Sequence, residues 1–122
     1  MGSIEYDVEL TDEERSVQET VHRFAEEVLR PAGAELDAMP DAQDVIAEDS
    51  VLWEVFEKHR ALGLHEITAP GGDMPPRQQA RLRCIISEEL GWGDSGLAIG
   101  FGVAGFPRMM AQMTGKPELI ER

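Results

Sequence analysis

Residues 88–105 read EELGWGDSGLAIGFGVAG, and the fold class turns on whether they form a strand, turn and helix or two helices in succession. The last six, Gly100-Phe101-Gly102-Val103-Ala104-Gly105, are a literal G-x-G-x-x-G. In a dinucleotide-binding fold such glycines follow a strand, admit a pyrophosphate and let a helix pack closely, with an acid about 20 residues on to hold the ribose. Here only Leu97-Ala98-Ile99 precedes them, there is no second βαβ unit, and the acid would fall beyond Arg122. The helical reading fits better. One helix closes at Gly91-Trp92-Gly93, Asp94 or Ser95 caps the next, and residues 96–105 form a helix that is apolar all round. Its small residues let a neighbour or a ligand chain approach closely. The 12 uncharged residues of 96–107 fall well under the ~20 that a membrane span needs.

Working outward, the same periodicity recurs. Upstream, Pro76 opens a helix with Leu82, Ile85, Ile86 and Leu90 inside and Arg77, Arg81, Glu88 and Glu89 on its charged face. Residues 67–76, ITAPGGDMPP, are the clear break in the chain. Before it, Ser50 caps a helix with Leu52, Val55, Phe56 and Leu62 on its core face, and Gly63 is a left-handed stop. Residues 41–50 read as an acidic surface loop with one turn near Val45-Ile46. At the start, Thr11-Asp12-Glu13-Glu14 is a capping box, and Val17, Val21, Phe24, Ala25, Val28 and Leu29 follow at helical spacing. Arg30-Pro31 interrupts that run, and residues 32–39 continue as a shorter helix or turn that Pro40 stops. Downstream, Pro107 begins a helix that ends near Thr114 with Gly115 as its cap. The class is all-α: an orthogonal or irregular bundle of about six helices.

Length and charge bound the function. The 122 residues make one domain, and 11 basic against 24 acidic residues give −13. Residues 1–57 carry 17 acids and three arginines, net −14, and residues 58–122 carry seven acids and eight bases, net +1. Such a surface repels nucleic acid and anionic membrane, so neither is expected as a partner. The acids read as a solvated helix face rather than a dock for a basic partner. A single cysteine, Cys84, excludes a disulfide framework and is expected to be a small buried thiol in a reducing compartment. The opening MGSIEYDVEL is neither a secretory nor a transit signal, which points to a cytoplasmic chain.

No residue pattern taken alone makes a catalytic or metal site. His22, with Glu26 one turn on, His59 and His65 lack ligand spacing and read as surface or capping residues. The pairs Glu13-Glu14, Glu26-Glu27 and Glu88-Glu89 are adjacent on helices, so their side chains diverge. Met109, Met110 and Met113 read as gap-filling core.

Taken in order, the landmarks resemble the amino-terminal α-helical domain of the flavin-dependent acyl-CoA dehydrogenase family. They are LTDEE (Leu10 to Glu14) with Phe24-Ala25, Pro31 and Asp37, then LGL (Leu62 to Leu64), Pro70 with Gly71-Gly72, EELGWGDSG (Glu88 to Gly96), and Gly115 with Glu118. The series covers essentially the whole chain. Departures are the shortened APGGDMPP loop, about three residues missing between EEL and Pro107, and Leu119-Ile120 where the family tends to have Gln-Lys.

The resemblance implies an FAD enzyme that removes an α proton and a β hydride from an acyl-CoA thioester. It implies residues 1–122 as the helical domain alone. The flavin site and the catalytic base would then lie on a middle β-barrel and a carboxy-terminal bundle that this chain lacks or a partner subunit supplies. A homo-oligomer in lipid metabolism is the expected assembly. The substrate-binding residues it implies are Leu97, Ala98, Ile99, Phe101, Gly102 and Val103, lining the acyl cavity, with Gly71 and Gly72 near its entrance. Two alternatives stay open. One is the same scaffold in an acyl-CoA oxidase or a flavin monooxygenase; the other is a non-enzymatic acidic interaction module.

Overall fold

The computed structural model describes residues 9–67 and 72–119. Pro70 and Gly71 of the expected entrance loop lie outside them, and Gly72 is exposed. Helix α1 (Asp12–Phe24) opens on the expected capping box: Glu14 N–H donates to Thr11 Oγ1 at 3.1 Å and Thr11 N–H to Glu14 Oε2 at 3.0 Å. Pro31 does not stop the run. Having no N–H, and with a ring that crowds the carbonyl one turn back, it is accommodated by a widened π-turn over Ala25–Leu29. The rod then continues as α2 (Arg30–Asp37), and Ala25, Leu29 and Ala32 stay buried through the junction.

A single turn, α3 (Ala42–Val45), follows Asp41, which caps it. Ser50 caps α4 (Val51–Ala61) by accepting from Leu52 N–H at 3.2 Å, and Val55 points into the core. Gly63 takes φ +66°, the left-handed geometry expected of it, and turns the chain into α5 (Leu64–Ile67), where Leu64 is buried.

Pro76 opens α6 (Pro76–Gly93) as its first residue, and Leu82, Ile85, Ile86 and Leu90 are buried against α1 and the π-turn. Its charged face is less open than the sequence suggests, since Arg81 and Glu89 are half-buried and paired. Cys84 corrects its expectation: it sits on the solvent side of α6, exposed. The last residue, Gly93, lies so close to the π-turn that a Cβ there would meet Ala25 Cβ at 2.8 Å and Leu29 Cβ at 3.0 Å. Asp94 then ends α6 and caps α7 (Ser95–Ala104) in one extended residue. Helix α8 (Phe106–Met113) and a 3-10 turn (Pro117–Leu119) complete the chain.

Six helices have eight residues or more, and no strand occurs among the described residues. The core they share runs through Val21, Phe24, Leu29, Val55, Ile86 and Leu90 and reaches Leu97 and Phe101 of α7. Truncating a fully buried member such as Leu29 to alanine costs about 2–5 kcal/mol.

Candidate functional site

Helix α7 has no charged side chain, and its two sides meet different surroundings. Asp94 Oδ1 accepts from Leu97 N–H at 2.9 Å and starts the helix; Gly33 makes room, since a Cβ there would clash with the Asp94 carboxylate. On the inner side Leu97 and Phe101 are buried. His59 stacks on Phe101 at 3.8 Å and 8°, Phe56 meets the same ring edge-on at 5.1 Å, and Phe24 approaches at 6.5 Å. This aromatic group fixes the rotation of α7. Ala98 is half-buried beside it.

The outer side is uncovered. Ile99 is 68% exposed, Val103 is 51% exposed, and a Cβ on Gly102 would find nothing within 4 Å. The six expected acyl-cavity residues therefore divide. Leu97 and Phe101 belong to the domain's own core, Ala98 sits between, and Ile99, Gly102 and Val103 form a solvent-facing apolar wall. Met109, Met110 and Met113, expected as core, are exposed on α8 together with Phe106. The uncovered apolar surface thus extends past α7. The reason is packing: α8 touches the body through the end of α7 and the 3-10 turn, so most of its circumference meets solvent.

The G-x-G-x-x-G lies within α7 and its end, so its amides serve the helix and do not cradle a phosphate. Every buried side-chain nitrogen and oxygen among the described residues has a partner, so none is aimed at a missing group. Among the described residues no group of three or more His, Cys, Asp or Glu could hold a metal ion. No helix among them is long and apolar enough to cross a membrane.

Three ionisable groups are tuned by structure. The Arg81 guanidinium, then the Thr11 amide, hold the Glu14 carboxyl below its ordinary value, and the hydrogen-bonded Glu14 carboxylate in turn raises Arg81. Burial pushes His59 below the usual histidine value, helped by nearby His65. His22 does not use Glu26; its Nδ1 meets Glu89 at 2.6 Å and its ring stacks on Trp92, which also carries the Arg30 guanidinium at 4.3 Å. These links cross between α6 and the α1–α2 rod, and helical spacing within one segment carries no signal for them.

The described residues thus form a small all-α domain in which one side of the apolar helix α7 is buried and the other meets solvent. The family model for the acyl-CoA dehydrogenase N-terminal domain matches residues 11–122, and the chain belongs to that family. Comparisons with curated proteins and with solved structures find no match.

Proposed function

We propose that this domain supplies one wall of the acyl cavity in an FAD-dependent acyl-CoA dehydrogenase. The observation that carries the reading is the outer side of α7, where Ile99 and Val103 stand in solvent beside the open space at Gly102. An acyl tail needs a dry apolar wall, and a glycine leaves room that a larger side chain would fill. The wall's task is to exclude water and to fix the chain while the α and β positions react elsewhere in the enzyme. Glu14, the buried carboxylate, is committed to Arg81 and Thr11 and is not free to take the α proton. On this reading the base and the flavin, which accepts the hydride, are carried by further domains or a partner subunit.

The test compares the 122-residue chain with a protein that joins it to flavin-carrying domains. The chain alone is expected to be colourless and inactive. The joined protein is expected to be yellow, to bleach on adding an acyl-CoA, and to release the trans-enoyl-CoA. Stoichiometric FAD on the chain alone, or no bleaching by any acyl-CoA, would overturn the reading. Hydrogen peroxide or a hydroxylated product would identify an oxidase or a monooxygenase instead.

A further inference from the structure

Helix α7 is seated on α4 through aromatic rings, and one of those rings is a histidine. On α4, Trp53, Phe56 and His59 recur every third residue, and Phe56 and His59 both reach Phe101. The His59 ring lies flat on Phe101, with centroids 3.8 Å apart and planes within 8°. Phe56 meets the same ring edge-on, and a Cβ on Gly100 would stand 3.5 Å from Phe56 Cζ. The α7 backbone thus comes close to Phe56, beside a stack whose thickness the imidazole sets. Phe24 of α1 closes the group, 6.2 Å from His59 and 6.5 Å from Phe101.

At about 3.6 residues per turn, Ile99 and Val103 project about 160° round the helix from Phe101, and Gly102 about 100°. The candidate acyl wall and the stack are therefore opposite sides of one rod. Support under Phe101 decides how far that wall stands forward. The start of α7 is fixed separately, by Asp94 capping it close to Gly33 and by buried Leu97. A change in the stack therefore tilts α7 about its first turn and moves Gly102 and Val103 more than Leu97.

We propose that His59 is a positioning residue that sets the depth of the acyl cavity. Acting through Phe101, its ring holds the Ile99, Gly102 and Val103 side of α7 forward and so limits the acyl chain length accepted. This inference rests on the acyl wall proposed above and names what fixes its place. Histidine suits the position. At half burial its flat carbon face packs on Phe101 while its polar edge can meet water, and an aliphatic side chain offers no such planar spacer. Interiors are close-packed, so removing a ring leaves a gap that its neighbours move partly to close. One methylene more or less in an apolar pocket changes discrimination about ten- to 200-fold, so a small retreat of the wall is readable in kinetics.

The test is a series of saturated acyl-CoA thioesters on the joined, flavin-loaded protein, with kcat/KM read as a long-to-short ratio. His59→Ala is expected to raise that ratio roughly tenfold, with flavin content and kcat on the short thioester nearly unchanged. His59→Gln fills more of the space but has no ring to stack. It should move the ratio the same way, and it guards against loss of fold in the alanine variant. His59→Phe restores a flat ring and should return the wild-type ratio. Equal losses at every length, or a phenylalanine variant that shifts the ratio as alanine does, would overturn the proposal. Gly102→Leu in the same series separates the two readings. If it discriminates by length and His59→Ala does not, the wall stands and the role of His59 falls. If neither discriminates, the wall falls and this inference with it.

Discussion

Arg81 reaches across 67 residues of sequence to grip Glu14 with two parallel bonds, Nε to Oε1 and Nη2 to Oε2, both 2.8 Å. Glu14 thus serves twice, closing the α1 capping box and tying α1 to α6. Arg81 also donates to the Glu9 carbonyl at 3.1 Å, which fixes the approach to the helix. A forked guanidinium and a buried carboxylate make a geometrically selective pair that lysine cannot copy.

Glu14→Gln is therefore expected to lower the melting temperature at neutral pH, and Arg81→Lys to lower it as well. The pH dependence has a fixed sign. The folded state holds the Glu14 pKa below its ordinary 4.5, so the stabilisation is complete above that pH and is lost as pH falls through the lowered value. Thermal melts from pH 7 to pH 3 should show the wild-type advantage over Glu14→Gln shrinking only at the acidic end. An advantage that starts to fade near neutrality would refute this assignment.

His59 should act in a different window. Burial favours its neutral ring and sets its pKa below the ordinary 6.5, so its contribution is fully present above about pH 6.5 and falls as pH drops from there. The wild type is expected to lose melting temperature between pH 7 and pH 5. His59→Phe keeps an aromatic ring against Phe101 and should flatten that slope. Equal slopes in both proteins would show that the stack is indifferent to the proton.

Most helix limits were legible in the sequence because caps and stops are local. Thr11, Ser50, Asp94, Gly63 and Gly115 each do what their residue type allows at that position. Burial was harder to read. Cys84 and the three α8 methionines have apolar side chains, and composition places such residues inside; only tertiary packing leaves them in solvent. The π-turn ahead of Pro31 answers a backbone conflict that ends most helices. In the candidate wall, the helix was legible from residues 96–105. Which side faces out was not, because α7 is apolar all round and its rotation is set by Phe56 and His59 from another helix.

The junction of α6 with the π-turn gives a paired test. Gly93→Ala places a methyl 2.8 Å from Ala25 Cβ and 3.0 Å from Ala25 Cα, and backbone cannot move aside as a side-chain tip can. Overpacking outweighs the gain in helix propensity, for a net loss of about 1–2 kcal/mol. Gly91, two residues earlier in the same helix, has nothing within 4 Å, so Gly91→Ala should stabilise by roughly 0.5–1 kcal/mol. Denaturant melts of both variants separate close packing from propensity. Two stabilised proteins would mean that the crossing is looser than the structure has it.

The acyl wall can be probed where the fold itself should not respond. Gly102 has open space at its Cβ position and lies inside α7, so Gly102→Leu crowds no neighbour and improves helix propensity. The isolated domain should keep or raise its melting temperature. In the joined enzyme the same leucine projects from the wall into the space proposed for the substrate. Filling a packed site typically costs about 1–3 kcal/mol, roughly ten- to a hundredfold in binding. Long or ring-bearing acyl thioesters should lose kcat/KM on that scale, while a short acyl thioester and the bound flavin remain nearly unaffected. Steady-state kinetics across a chain-length series, with flavin content measured on the same samples, reads the difference. Equal losses at every chain length would place Gly102 away from the acyl tail, because only a steric block inside the cavity discriminates by length.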